Sequence, residues 1–451
     1  MKNLSPIFIH SLFRSGSTYI FNAFRRADAG YWCYQEPMNE YLINVNGDAE
    51  KLLENTEGTV IALRHPHLNR PYYWEYFHIK DGLKGLFHKS FSYDLFFVDP
   101  DEGFTDDQAK YFDALISYAK GRPVLQFCRS AGRIAVLKKT FGGLHIHLWR
   151  DPRKQWWSFK VNSYFDAVVQ RIYNADKLPP VLDQIRKRCE IIISHHDDTQ
   201  KEIEDAQKHP FDSKKNYYVF YSLWLYAFLE CQKYADLTIN IDLLSFDNSY
   251  RELILRRLLE VGVNGLDFSD CSVPRAVFTK NEVDYFSAIE TQVQDQFLLN
   301  GYVENEINCA IAECEKVSTL SKKRYRSSLR DVAYMRELCL RFLDQHAQAE
   351  ARSVESEERA VKAEECAAKA DEREAQSAER ATKAERYSAQ LVEEAEKMAL
   401  VLNNSEEQVR QANAKIDELA DMLVAISAEL DVWKKKPMKS AISHYYALIR
   451  K

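Results

Sequence analysis

The residues best suited to chemistry sit in two short loops. Between Pro6 and Arg26, the apolar run Ile7-Phe8-Ile9-His10 reads as a strand, Ser11-Leu12-Phe13-Arg14-Ser15-Gly16-Ser17-Thr18 as a loop, and Tyr19 onward as a helix. A small-residue loop between a strand and a helix N-terminus gathers backbone N–H groups and the positive end of the helix dipole at one point, which favours a phosphate. Gly16 lets the backbone approach closely, Ser17 and Thr18 add hydroxyl donors, and Arg14 brings a permanent forked charge. An ordinary turn capped by Ser or Thr fits the same letters. No lysine follows Gly16, so the GxxxxGK[ST] loop of nucleoside triphosphatases is absent. A second unit has the same shape, with His145-Ile146-His147-Leu148-Trp149 as strand, Arg150-Asp151-Pro152-Arg153 as turn and Lys154 onward as helix. Asp-Pro commonly starts a helix. Ser158 follows Arg150 by eight positions, one to two helical turns in, so the pair can grip one phosphate from two sides.

Taken together, the two loops resemble those of the PAPS-dependent sulfotransferase superfamily, whose donor is 3′-phosphoadenosine 5′-phosphosulfate (PAPS). Arg14-Ser15-Gly16-Ser17-Thr18 is similar to its 5′-phosphosulfate loop, R-S-G-[ST]-T, and Arg150 with Ser158 to its 3′-phosphate site. The resemblance implies that Arg14, Ser15, Gly16, Ser17, Thr18, Arg150 and Ser158 bind PAPS and that no metal is required. It also implies an α/β fold with a P-loop-like, mostly parallel sheet flanked by helices. Tyr34-Gln35-Glu36-Pro37 resembles the [YF]-x-E-P segment of bacterial and carbohydrate sulfotransferases, and Phe127 to Arg133 resembles their basic segment. Tyr221 to Leu243 resembles their late helix and strand, so the likeness covers about residues 5 to 275, while Tyr164 to Asn216 matches no part of it.

Sulfuryl transfer to a hydroxyl calls for positioning, a base for the acceptor proton and cationic cover for the departing phosphate, by analogy with phosphoryl transfer. Glu36 is the candidate base, and the resemblance implies that Arg14 is the cation at the bridging oxygen. Arg129 and Arg133, four apart, share one face if helical, and either could reach the sulfuryl group or an anionic acceptor. His10, His65, His67, His145 and His147 are alternative bases. The polar stretch His195-His196-Asp197-Asp198 reads more readily as a solvated loop than as a metal site. Trp149, Trp156, Trp157, Tyr221 and Trp224 are candidates for an adenine slot, although aromatic residues at helical spacing usually build core.

The elements that must position these groups divide the 451 residues into a globular head and a rod. After Gly301 the one remaining proline is Pro437, so nothing from Tyr302 to Lys436 breaks a helix. A heptad register passes through Ala360, Ala363, Ala367, Ala370, Ala381 and Ala384, interrupted by Glu374 and Ser377. It continues through Leu402, Ser405, Val409, Ala412, Ile416, Leu419, Leu423, Ile426, Leu430 and Trp433, which predicts a left-handed coiled coil and a homo-oligomer. The expected domains are a head over 1–328, a coiled coil over 329–433 and a basic amphipathic tail over 434–451. In that tail Lys434, Lys435, Lys436, Lys439, Arg450 and Lys451 suit an anionic membrane surface. The net charge of −6 argues against general nucleic-acid binding. Nine cysteines without a CxxC pair fit reduced thiols, and the N-terminus enters a strand at once, leaving no room for a signal peptide. The expected protein is therefore cytoplasmic, peripheral at the inner face of a membrane, and sulfates a hydroxyl of a carbohydrate such as a surface polysaccharide. A kinase-like phosphotransferase and an inactive scaffold that assembles through the coil are the alternatives.

Overall fold

The computed structural model describes residues 5–27, 29–54, 68–160, 162–191, 195, 196, 198–274, 276–323 and 329–367, with further helical residues between 385 and 422. The chain forms two compact units, Met1–Ala351 and Arg352–Lys451. In the first, five strands alternate with helices: β1 (Ile7–His10), α1 (Ser17–Arg26), β2 (Tyr31–Gln35), α2 (Asp106–Ser117), β3 (Arg122–Phe127), α3 (Ile134–Phe141) and β4 (Leu144–Trp149). There follow α4 (Pro152–Phe159), α5 (Tyr164–Ile172), α6 (Ser213–Tyr234), β5 (Leu237–Asn240), α7 (Ile241–Phe246), α8 (Asn248–Glu260), α9 (Lys280–Leu299) and α10 (Leu329–Ala367), with further helices between them, among them the 20-residue helix Glu304–Lys323. The strands make one sheet in the order β2-β3-β1-β4-β5, and every pairing is parallel. The expected α/β architecture, a parallel sheet flanked by helices, is thus present.

Strand β1 is buried along its whole length because both faces of the sheet are covered, the usual condition of a parallel sheet. Its alternation assigns the faces. Ile7 and Ile9 pack with Phe21 and Phe24 of α1 and with Ile254 and Leu258 of α8. Phe8 points the other way, into Tyr34, Leu125 and Phe127 and onto Tyr111, Phe112 and Leu115 of α2. Helix α6 is buried on nearly every side, including Tyr217, Phe220, Trp224 and Phe228, and forms the centre of a third cluster that joins Trp149, Trp156 and Phe165. The first turns of α10 belong to this unit as well. Arg336 pairs with Glu282 at 2.5 Å, Asp344 accepts from the Ser213 N–H at 2.8 Å, and Leu340 and Leu343 pack on the cluster.

Among the described residues no helix is long and apolar enough to cross a membrane. Most of the seam positions from Leu402 to Trp433, and all of the tail over 434–451, lie outside the described residues; of that seam Leu419 is helical and exposed.

Candidate functional site

In an open parallel sheet, ligands sit beyond the carboxyl ends of the strands, where the loops converge. Each strand here is followed closely by a charged group: Arg14 after β1, Glu36 after β2, Arg129 after β3, Arg150 after β4 and Asp242 after β5. Two of them carry backbone strain, since Arg14 (φ 62°) and Glu36 (φ 45°) occupy the left-handed region that non-glycine residues avoid. Such strain persists where surrounding structure over-determines it, and two of the three non-glycine residues with positive φ among the described residues lie at this carboxyl edge.

The first loop turns on Gly16, at φ 85° just before α1. A β-carbon at Gly16 would lie 2.6 Å from Cγ1 of Ile241, so only glycine fits both the conformation and the space. The Ser15 hydroxyl closes the loop on the Leu12 carbonyl at 2.7 Å, and Gln155 of α4 donates to the Phe13 carbonyl at 2.6 Å. Ser17 Oγ lies 3.4 Å from Cys128 Sγ, a thiol that burial pushes up to about 12 and so keeps protonated. Helix α1 has no acidic residue in its first turn to compete for an anion at its N-terminus.

Ser158 meets Arg14. Its hydroxyl accepts from Arg14 Nε at 3.1 Å, across 144 positions of sequence, and both residues are half-buried at the mouth of the loop. Arg150 has different partners. Its Nη2 donates to the Pro274 carbonyl at 3.0 Å, and its Nε lies 3.5 Å from Asp242 Oδ1 without a hydrogen bond. Asp242 also takes the Asp151 N–H at 3.0 Å and faces Lys154 Nζ at 3.7 Å.

Glu36 is bound on two sides. Arg129 Nη1 donates to its Oε2 at 2.5 Å and the Tyr72 hydroxyl reaches its Oε1 at 3.4 Å. Tyr72 in turn stands 3.4 Å from Thr18 Oγ1, which ties the carboxylate to the first loop. The other terminal nitrogen of Arg129 meets Glu40 at 2.7 Å, Tyr93 at 2.9 Å and Tyr164 at 3.2 Å. Burial opposes a charge on Arg129, but Glu40, Tyr93, Tyr164 and Glu36 outweigh it and hold the guanidinium protonated. Burial and the Glu36 carboxylate raise Tyr72, so its phenol remains a donor.

Arg133 does not join this cluster. The helical turn begins at Ala131, after Arg129, so the two arginines do not share a helical face. Arg133 is buried against the Leu95 carbonyl at 2.6 Å and the Phe96 ring, and burial, helped by Arg129, pushes it down to about 9. His10, His145 and His147 are buried in the sheet, while His65 and His67 lie outside the described residues. His196 pairs with Asp205 at 2.5 Å, and among the described residues no group of three metal-ligating side chains forms. Of the aromatic candidates, Trp149, Trp156, Tyr221 and Trp224 are core; Trp157 is half-buried.

Glu40, Tyr72, Tyr93, Tyr164 and Asp242 escaped the sequence reading. Glu40 had a signal, four residues after Glu36, and Asp242 another, a carboxylate at the end of the last apolar strand. Tyr164 begins the stretch that lies outside the resemblance, and no local pattern marks it. No family model matches this chain, and neither a curated protein nor a solved structure matches it significantly.

Proposed function

We propose that the chain is a PAPS-dependent sulfotransferase acting on a hydroxyl of a carbohydrate acceptor, with a surface polysaccharide as the leading case. The observation that carries this reading is the contact between Arg14 and Ser158, which joins the first loop to α4, the helix that follows the second turn, at the carboxyl edge of one sheet. The first loop, at the N-terminus of the helix after the central strand, also supports a P-loop-like reading of the fold.

The residues then divide the work. Ser15, Gly16, Ser17 and Thr18 surround the 5′-phosphate with amides and hydroxyls, and Arg150 takes the 3′-phosphate. Arg14, held by Ser158, covers the charge that grows on the bridging oxygen. The acceptor oxygen bonds to sulfur as the bond from sulfur to the 5′-phosphate oxygen breaks. The acceptor proton passes to Glu36, which Arg129 and Tyr72 hold in place. This scheme gives Arg129 a positioning role toward Glu36, in place of direct contact with the sulfuryl group, and leaves Arg133 to the core. It asks for no metal.

Thermal unfolding with adenosine 3′,5′-bisphosphate, with magnesium ATP and with buffer tests the reading. Saturation at about a hundred times Kd stabilises a protein by about 2.7 kcal/mol, and only the bisphosphate should do so. Stabilisation by magnesium ATP alone would favour the kinase-like alternative, and by neither the scaffold.

A further inference from the structure

The two phosphate loops come from β1 and β4, which are neighbours in the sheet, and the start of α7, just beyond the edge strand β5, touches both. Two consecutive residues there serve the two loops separately. Ile241, fully buried, occupies the space against Gly16 that any side chain on the first loop would need. Asp242, 1% exposed, takes the Asp151 N–H of the second turn with one oxygen and faces Arg150 and Lys154 with the other. One buried carboxylate thus confronts two buried cations at 3.5 and 3.7 Å, longer than a tight ion pair, and among the described residues the Nε of Arg150 has no hydrogen-bond partner. A buried guanidinium with unused hydrogen-bonding capacity is costly, and an arriving anion relieves that cost.

We propose that Ile241 and Asp242 form the spacer that fixes the separation of the two phosphate loops. Asp242 is the positioning residue that aims Arg150 and so makes the site select a nucleotide phosphorylated at both its 3′ and 5′ ends. The inference rests on the nucleotide reading above. Asp242 does not touch the nucleotide; it holds the turn by its amide and the arginine by charge.

The test is titration calorimetry on the full-length protein with adenosine 3′,5′-bisphosphate and adenosine 5′-monophosphate. Asp242→Asn keeps an acceptor for the Asp151 N–H but removes the charge. It should weaken the bisphosphate by about tenfold or more, the worth of one charge-assisted contact, and leave the monophosphate within about twofold. A purely structural role would weaken both ligands alike, and that outcome, or no change in either, overturns the inference. The same ratio is read on Asp242→Glu, which keeps the charge but displaces it by one methylene, so the test survives if the asparagine variant fails to fold. If the wild-type protein binds the bisphosphate no better than the monophosphate, the nucleotide reading itself falls and takes this inference with it.

Discussion

At the scale of single residues, the proposed chemistry turns on how Glu36 and Arg14 are held. Glu36→Gln preserves the shape of the contact with Arg129 and touches no phosphate, so turnover should be lost while affinity for adenosine 3′,5′-bisphosphate stays within about twofold. Near-normal turnover in that variant would remove Glu36 as the base. Ser158 and Arg150 should separate under mutation, because Ser158 binds Arg14 and Arg150 does not. Arg150→Ala should cost about 1.5 to 3 kcal/mol with the bisphosphate and little with adenosine 5′-phosphosulfate, which lacks the 3′-phosphate. Ser158→Ala should weaken both ligands, since it frees Arg14 at the 5′ side. A Ser158→Ala protein with unchanged affinity for adenosine 5′-phosphosulfate would show that the contact with Arg14 is incidental.

At the scale of elements, β1 and β4 carry a buried chain of polar groups behind the site. His145 Nε2 lies 2.9 Å from the Gly142 carbonyl, which can only accept, so that nitrogen donates. His145 Nδ1 then accepts from His10 Nε2 at 2.9 Å, and His10 Nδ1 accepts from the Ser130 hydroxyl at 2.7 Å, next to Arg129. Each imidazole must be neutral for the chain to close. Burial, reinforced for His10 by its neighbours, lowers all three histidines: His10 well below its ordinary value of 6.5, His145 to about 4 and His147 to about 3. The unfolded chain therefore binds more protons than the folded one between pH 6.5 and 4, and stability rises with pH across that window. On acidification from pH 6.5 to 5 each histidine should remove up to about 2 kcal/mol, which urea unfolding at a series of pH values will show. A His147→Phe variant should flatten the slope by about one proton. An unfolding free energy independent of pH between 7 and 5 would contradict the neutral assignment.

At the scale of the whole molecule, the second unit presents its apolar side chains in one pattern. In the register through Leu402, Leu391, Met398 and Leu419 occupy d positions, Val392 an e position, and Tyr387 and Met422 g positions. These are the large apolar residues found exposed in that unit among the described residues, and none sits at b, c or f. A single helix has no reason to concentrate them so, whereas a coiled coil buries a and d and flanks them with e and g. The full chain should therefore be a homo-oligomer by light scattering, and cutting after Ala351 should leave a monomeric head that still binds nucleotide. Cutting after Ser328 should give a less stable head, because it removes Arg336, Leu340, Leu343 and Asp344 from their contacts. Removing residues 432–451 should retain assembly and abolish salt-sensitive binding to anionic vesicles, since each basic residue near such a surface is worth about 1 kcal/mol. A monomeric full-length chain would sink the coiled coil, and unchanged vesicle binding the anchor.

The sequence by itself determined what depends on neighbours along the chain. The strand over Ile7–His10 appears as read, the helix expected from Tyr19 begins at Ser17, and the one expected from Lys154 begins at Pro152. Alternation, small loop residues and the Asp-Pro start are local signals, and a left-handed Gly16 needs only its own missing side chain. Tertiary structure decided the pairings between charges at the site. Arg129 and Glu36 come together because β2 and β3 are adjacent in the sheet, an order that no local pattern encodes. Sequence spacing suggested that Ser158 and Arg150, eight residues apart, would grip one phosphate, and it could not show that the Ser158 hydroxyl on α4 meets Arg14 of the first loop. Spacing suggested equally that Arg129 and Arg133 would act together, but the helical turn that would align them begins too late. A hydrogen bond is won by the partner that the packed backbone brings within about 3 Å, and packing is a property of the whole sheet.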